Sequence, residues 1–455
     1  MSTQSVVRSE RVVLPDGMRP ASIHVRDGRI AAVRDYSERP AGIREVDAGA
    51  LVVMPGLVDT HVHINDPGRA DWEGFEHATK AAAAGGVTTL VDMPLNSIPP
   101  TTDVEGLEAK RRAAAGRCFV DVGFWGGVVP GNSGALEPLA RAGVLGFKCF
   151  LSPSGVEEFS HVTERDLREA LPILARLGLP LLAHAEWPAL LRECSGDPTR
   201  YATWLDSRPP ASELAAIELL VRLAAEYGAR VHIVHLASAG AVTAIREARA
   251  AGLKVSVETC PHYLSFAAEE IPAGATAFKC APPIRERDHR EGLWKALSEG
   301  DIDLIATDHS PAPPVLKRQD AGDFVGAWGG IASLQIGLAA VWTGASARGV
   351  SIETLARWLS LAPARLAGLD AVKGAVQVGC DADLVIWDPD AIATIDAVHL
   401  YHRHAVTPYH GLRLRGVVRT TILGGEVVFD EGKCLPAAHG KLIRRTSSIV
   451  PARMT

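Results

Sequence analysis

Between residues 55 and 310, eight short apolar, β-rich segments alternate with helix-like stretches: 57–63, 88–93, 119–125, 144–151, 179–184, 230–235, 254–259 and 302–308. Helical patterning separates them at Phe75 to Ala84, Thr163 to Leu177, Ser212 to Tyr227 and Ala239 to Ala251, each closing near a glycine that can end a helix in the left-handed conformation. Strand and helix repeated eight times over roughly 250 residues predict an α/β fold, a (β/α)8 barrel of the TIM type. In that architecture the groups that do chemistry gather at the C-terminal ends of the strands.

The flanks have a different style. Ser5 to Ala48 reads as short strands with turns at Pro15-Asp16-Gly17 and Asp27-Gly28, and strands with tight turns resume from about residue 374, in Gly379 to Asp388 and Gly416 to Val428. The expected organisation is therefore a barrel over 55–370 and one small β-sandwich domain built from both termini, 1–54 and 371–455. Ile331 to Leu369 reads as helices joining the two. The Pro-rich Ser310 to Pro314, followed by polar Lys317 to Gly322, reads as a mobile loop over the barrel mouth.

Several strand ends carry a polar residue. Leu51 to His63 is an apolar strand closed by His61 and His63, whose one-residue gap points both imidazoles to one side. In isolation such a pair fits core histidines as well as metal ligands. Three more runs stop at a potential ligand: Gly178 to His184, Arg230 to His235 and Ile302 to Asp308. The run Val144 to Leu151 encloses Lys148 among apolar neighbours, an unfavourable place for an ammonium group.

Four histidines, a lysine and an aspartate thus converge at one barrel end. Imidazole and carboxylate suit zinc and its neighbours, and the set exceeds what one catalytic ion needs, which points to two. Two metals about 3.5–4 Å apart can make water nucleophilic at neutral pH and polarise a carbonyl. A buried lysine loses its proton readily, and the neutral amine can capture carbon dioxide to become an anionic ligand with two oxygens.

The rest of the composition excludes other classes. A formal charge of −6 over 455 residues gives no nucleic-acid signal, no apolar run is long enough for a membrane span, and Met1 to Ser5 lacks a basic-plus-apolar leader, so a cytoplasmic enzyme is expected. The seven cysteines are scattered without a Cys-x-x-Cys pair, which argues against disulfides and a thiolate metal site. Cys149 and Cys260 flank candidate site residues and read as packing.

At this point the sequence resembles the cyclic amidohydrolases of the amidohydrolase superfamily, the group of the allantoinases, dihydroorotases and dihydropyrimidinases (hydantoinases). The resemblance runs over nearly the whole chain. It rests on Pro55 to His63, Asn65 to Arg69, Trp72 to Phe75, Val91 to Ser97, Gly146 to Leu151, Glu258 to Leu264, Lys279 to Arg285 and Ala306 to Pro311, all of which look like the allantoinase branch, as do Trp328 to Ile331 and Leu334-Gln335. Ser333 stands where some relatives have glycine.

Residue by residue, the resemblance implies that His61, His63 and Asp308 bind one divalent ion, that His184 and His235 bind the other, and that carboxylated Lys148 bridges them. Zinc is the expected metal, with cobalt, manganese, iron or nickel as alternatives. It implies hydrolysis of the cyclic amide of allantoin to allantoate, with Asp308 as proton shuttle, in a homotetramer. Asn65 stands where dihydroorotases generally have an arginine, Pro153 where hydantoinases commonly have a tyrosine, and His262 replaces the glutamine of their Cys-Pro-Gln-Tyr. Dihydropyrimidinase or hydantoinase is the alternative activity. A non-catalytic dihydropyrimidinase-like interaction protein would be expected to have lost ligands that are all kept here.

Candidate substrate contacts are Asn65, Asn96, Ser152, His262, Ala281 and Gly330. Asn65 orients a ureide or caps the turn before Pro67, and both readings stand. Arg69 reads as a surface ion pair before a lid residue, His232 as packing, His262 and His309 as hydrogen-bonding residues near the mouth, and Trp328 as either a pocket cover or core.

Overall fold

The computed structural model describes residues 4–40, 42–436 and 439–445, so parts of the two predicted terminal segments lie outside the described residues. Eight parallel strands form a barrel: Leu57–Val62, Val87–Asp92, Asp121–Phe124, Phe147–Phe150, Pro180–His184, Arg230–Ile233, Val255–Thr259 and Leu304–Ile305. A two-residue extension, Gly126–Gly127, carries the third strand onto the fourth. The ring closes between first and eighth strands, where Val62 bridges His309 in parallel and the His63 N–H donates to the His309 carbonyl at 2.8 Å. Helices lie between the strands, including Phe75–Ala84, Val104–Ala114, Ser133–Ala142, Glu164–Leu177, Pro210–Tyr227, Val242–Ala250 and Arg287–Glu299.

Local chemistry explains the element ends. Glu164–Leu177 starts at a capping box between Thr163 and Asp166 and stops at Gly178, whose φ of 65° is open to a residue without a Cβ. The second hairpin of the terminal sheet turns through Asp27 and Gly28, both at positive φ (51° and 77°), the primed turn that matches strand twist.

Strands from both ends of the chain share one sheet. Val52–Pro55 is its central junction, pairing in parallel with Gln4–Leu14 and antiparallel with Leu384–Thr394. Gly17–Arg26 and Arg29–Arg34 extend one side; Arg413–Leu423, Glu426–Asp430 and Lys433–Cys434 extend the other. This unit packs its own core, with Val7, Ile23, Val53, Leu384, Ile386 and Ile422 buried. Lys373 ties it to the barrel, donating at 2.6 Å to Asp121 of the third strand and at 2.6 Å to Asp383 beside the sheet.

Two sequence expectations are corrected. The apolar run Leu51 to His63 is two strands, because the chain leaves the terminal sheet at Pro55 and enters the barrel at Leu57. Gly56 makes the step: a Cβ there would stand 2.9 Å from the Cβ of Thr88 on the neighbouring barrel strand. The segment after Ser310 is not a free loop. Pro314–Lys317 is a short helix, and buried Lys317 donates to the carbonyls of Trp328 (3.1 Å) and Gly330. Among the described residues no helix is long and apolar enough to cross a membrane.

Candidate metal centre

The C-terminal ends of the barrel strands bring the six predicted ligands together. His61 lies inside the first strand and His63 one residue past its end; Lys148 sits within the fourth, His184 ends the fifth, and His235 and Asp308 follow the sixth and eighth. All six are buried. The imidazole centroids are 5.6 Å apart for His61 and His63, 5.3 Å for His61 and His235, and 4.7 Å for His184 and His235.

They form two donor sets. Nε2 of His61 and of His63 approach the same Asp308 oxygen, Oδ1, at 3.2 and 3.4 Å. Nδ1 of His184 faces Nε2 of His235 at 3.0 Å. The two sets bring imidazole nitrogens and a carboxylate oxygen within 3.4 Å of one another, a donor chemistry that suits divalent cations. His235 and Asp308 hold positive φ values of 42° and 46°, and Asn96 one of 66°, a conformation costly for residues with a Cβ and concentrated at functional sites.

Acidic residues hold the imidazoles in place. Glu258 Oε1 accepts from His61 Nδ1 at 2.5 Å, leaving Nε2 to face Asp308. Glu186 Oε2 accepts from His184 Nε2 at 2.6 Å, leaving Nδ1 to face His235. Such carboxylates fix the tautomer of a ligating histidine and raise its basicity. Burial pushes the Glu258 carboxyl up, but His61 and His232 outweigh it and leave it at about 2. Neither glutamate was singled out from the sequence.

Lys148 is the least conventional member. Among the described residues its buried Nζ has no hydrogen-bond partner, and it stands 5.0 Å from the centroid of the Phe150 ring. Burial brings its pKa down to about 8, against the pull of Glu258 and Asp308, so a substantial neutral fraction exists near physiological pH. Burial also lowers His61, His184 and His235, which keeps them neutral and able to donate lone pairs. For Asp308 burial acts upward, yet His61, His63 and His262 hold the carboxyl well below the usual carboxylate range. The donor set, an unpartnered amine included, fits divalent cations.

A cleft of about 270 Å³ opens over these groups, with room for a small heterocycle. Asn96, Ala281 and Gly330 line it; Asn96 Nδ2 reaches His63 Nδ1 at 3.5 Å and its Oδ1 has no partner. Asn65, Ser152 and His262 do not line it. Asn65 lies behind it: its side-chain amide donates to the Pro311 carbonyl at 3.4 Å, its Oδ1 has no partner among the described residues, and only its backbone carbonyl accepts from the Arg69 N–H at 3.1 Å, so its side chain does not cap the turn before Pro67. Ser152 and His262 are fully buried, and among the described residues Oγ and both ring nitrogens have no partner. His309 is also buried, its Nδ1 accepting from Ser333 and Leu334 and its Nε2 3.3 Å from Glu73, and Arg69 pairs with Glu158. Trp328 lines the cleft, edge-on to Trp72.

One wall comes from residues that strand periodicity could not reveal. Trp204 is flanked by Lys279, 4.1 Å from its ring centroid, and by Arg208, 5.0 Å away. Arg208 also grips Glu186 with two bonds of 2.9 and 2.6 Å, connecting this wall to His184.

A model of the Amidohydrolase family matches residues 52–428. The chain is 51% identical over 443 residues to an allantoinase of Streptomyces avermitilis, spanning 97% of this chain and 98% of that protein. It is 47% identical over 456 residues to an allantoinase of Arabidopsis thaliana, spanning 96% and 90%. Among solved structures it is similar to an L-hydantoinase (dihydropyrimidinase) from Arthrobacter aurescens, with a TM-score of 0.91 and 32% identity over 98% of this chain and 100% of that one. A dihydropyrimidinase from Brevibacillus agri gives a TM-score of 0.89 and 26% identity over 98% and 99%. The match begins at the strand joining sheet to barrel and ends in the returning strands of the sheet, and with half of its residues shared over nearly full length, the chain belongs to the amidohydrolase family.

Proposed function

We propose that the protein is an allantoinase, which opens allantoin by adding water across the cyclic amide to give allantoate. The observation that carries the reading is the near half-identity, over almost the entire chain, to proteins named allantoinase, joined to the grouping of His61, His63 and Asp308 beside the facing His184 and His235. Two divalent cations, zinc or a neighbour of it, held by His61, His63 and Asp308 and by His184 and His235, would polarise the ring carbonyl and make water nucleophilic at neutral pH.

The chain's own groups account for the rest. The neutral Lys148 amine, on adding carbon dioxide with loss of a proton, would become a carbamate, an anionic oxygen ligand for the cations those side chains would hold. Asp308, held ionised by its imidazole neighbours, accepts the proton of the attacking water and delivers it to the departing ring nitrogen. Asn96, Ala281 and Gly330 contact the substrate from the cleft wall, while Asn65, Ser152 and His262 support that wall from behind. The working form is a cytoplasmic homotetramer.

The Arthrobacter structure favours a second reading, turnover of hydantoins or dihydropyrimidines. Pro153 lines the cleft at the position where hydantoinases commonly have a tyrosine, so no phenol is offered there, which weighs against it. Steady-state assays of the metal-loaded protein with allantoin, hydantoin, dihydrouracil and dihydroorotate separate the two. Allantoin should give the largest kcat/KM; a larger value for hydantoin or dihydrouracil would reverse the assignment.

A further inference from the structure

A polar column runs down the barrel interior from the metal centre to the opposite end. Ser256 and Glu258 are two apart on the Val255–Thr259 strand and therefore face the same side. Glu258 Oε1 lies 2.5 Å from His61 Nδ1, its Oε2 lies 3.0 Å from His232 Nε2, and His232 Nδ1 lies 2.8 Å from Ser256 Oγ. A carboxylate only accepts, so both imidazoles donate to Glu258, His232 Nδ1 is left as an acceptor, and the Ser256 hydroxyl donates to it. His232, which reads from sequence as packing, is the central link.

Ser256 opens onto a second cleft, of about 370 Å³, at the N-terminal end of the strands. Arg230, Arg357 and Arg365 line it, and Leu304 and Trp358 give it apolar surface. Its one acid, Asp303, is already engaged by Arg249 and by the Val257 N–H at 2.7 Å. The guanidiniums are poorly matched: Arg230 makes one 3.3 Å bond to the Gly178 carbonyl, Arg365 reaches Asp370 only at 3.9 Å, and exposed Arg357 has no carboxylate partner among the described residues.

Helix C-termini at this end of a barrel attract cations, which explains Arg365 in the last turn of Ala362–Leu366. It does not explain Arg357. That residue opens a single π-helical turn, Arg357–Leu361, between the helices Ile352–Ala356 and Ala362–Leu366. Such turns are rare and recur at functional sites, and this one brings Arg357 and Trp358 to the same cleft.

We propose that this cleft is an inhibitory site for a small organic anion, whose carboxylate or phosphate is held by Arg357, Arg365 and Arg230 and whose body rests on Leu304 and Trp358. Ser256 has one hydroxyl proton. An anion that accepts it takes it from His232, which frees His232 to turn and loosens the grip of Glu258 on His61. Occupancy at one end of the barrel thus alters a ligand at the other through a contiguous chain of hydrogen bonds.

The test uses metal-loaded protein, with inorganic phosphate and malonate titrated separately by calorimetry, and turnover measured with whichever cyclic amide the protein hydrolyses. At least one anion should bind saturably and lower kcat with little change in KM, and the pair of titrations distinguishes a phosphate site from a carboxylate site. Arg357→Met should keep basal turnover while weakening the anion by about tenfold or more, through loss of a charge-assisted contact. Arg365→Gln should weaken it independently, which guards against a folding defect in either variant. Ser256→Ala should still bind the anion but no longer transmit it to kcat. The proposal is overturned if neither anion saturates the wild type, if binding survives Arg357→Met and competes with substrate at the metals, or if a bound anion leaves kcat unchanged.

Discussion

The carboxylate of Glu186 bridges His184, at 2.6 Å from Nε2, and Arg208, at 2.9 and 2.6 Å, so a residue of the cleft wall and a candidate metal ligand share one anchor. The bond decides which nitrogen His184 presents to His235. Glu186→Gln keeps the size of the anchor but removes its charge, so His184 becomes a poorer donor and is less firmly oriented. Metal affinity at the His184/His235 set should fall by about 10–100-fold, with activity following, as is typical when such a support is lost. Metal content after dialysis against a weak chelator, measured alongside kcat, checks this; full retention of both would leave Glu186 as an anchor for Arg208 alone.

The candidate ligands were legible because they sit at strand ends, where two simple periodicities meet. His61, His63, His184, His235 and Asp308 each interrupt or close an apolar run, and Lys148 is costly within one. Glu258 carried a comparable signal, an acid inside an apolar segment, but only its distance to His61 shows what it supports. Glu186 stands outside its strand and had no such mark. Trp204, Arg208 and Lys279 come from connections whose course depends on tertiary packing, so their convergence on one wall lies beyond any one-dimensional pattern. The boundary beside Gly56 was legible as the change of style between 1–54 and 55–370, but not its cause: hydrophobicity continues unbroken through it, and the close approach of Thr88 comes from the neighbouring strand.

Gly56→Ala should therefore test the junction between sheet and barrel. The added methyl cannot fit without displacing Thr88 or bending the chain between Pro55 and Leu57, and overpacking of this kind costs about 1–3 kcal/mol. Thermal or denaturant unfolding should show a loss in that range. Thr88→Ser in the same background, which removes one of the crowding methyls, should recover part of it.

The buried amine of Lys148 should make metal loading depend on pH. Its pKa is lowered by burial to about 8 in the metal-free chain, and only the neutral amine adds to carbon dioxide, so the reactive fraction grows as pH rises through that value. Reconstitution of metal-free protein with zinc and bicarbonate should be slow near pH 6.5, accelerate towards pH 8 and level off above it. Lys148→Ala should abolish activity, with partial return on adding short-chain carboxylates that occupy the space of the carbamate. A rate of reconstitution that does not change with pH or bicarbonate would argue that the unmodified lysine is the working form.

Asp308 has two proposed roles, and they predict different losses. As a ligand it contributes one oxygen beside His61 and His63; as a proton shuttle it needs a free basic carboxylate as well. Asp308→Asn keeps an oxygen at the same place and removes the base, so metal content should fall less than activity does. Positioned acid-base catalysis is worth about 10²–10⁴-fold, and kcat should drop by at least that factor. The wild type supplies the complementary measurement. Burial lowers His61, His184 and His235, and the imidazoles around Asp308 hold its carboxyl well below the usual range, so all four stay unprotonated to a lower pH than the free side chains would. As pH falls, metal should be retained below the ordinary histidine value, and kcat should decline only once these groups gain protons. A variant that keeps its metal and turns over near the wild-type rate would leave Asp308 as a ligand alone and transfer the proton to another group at the cleft.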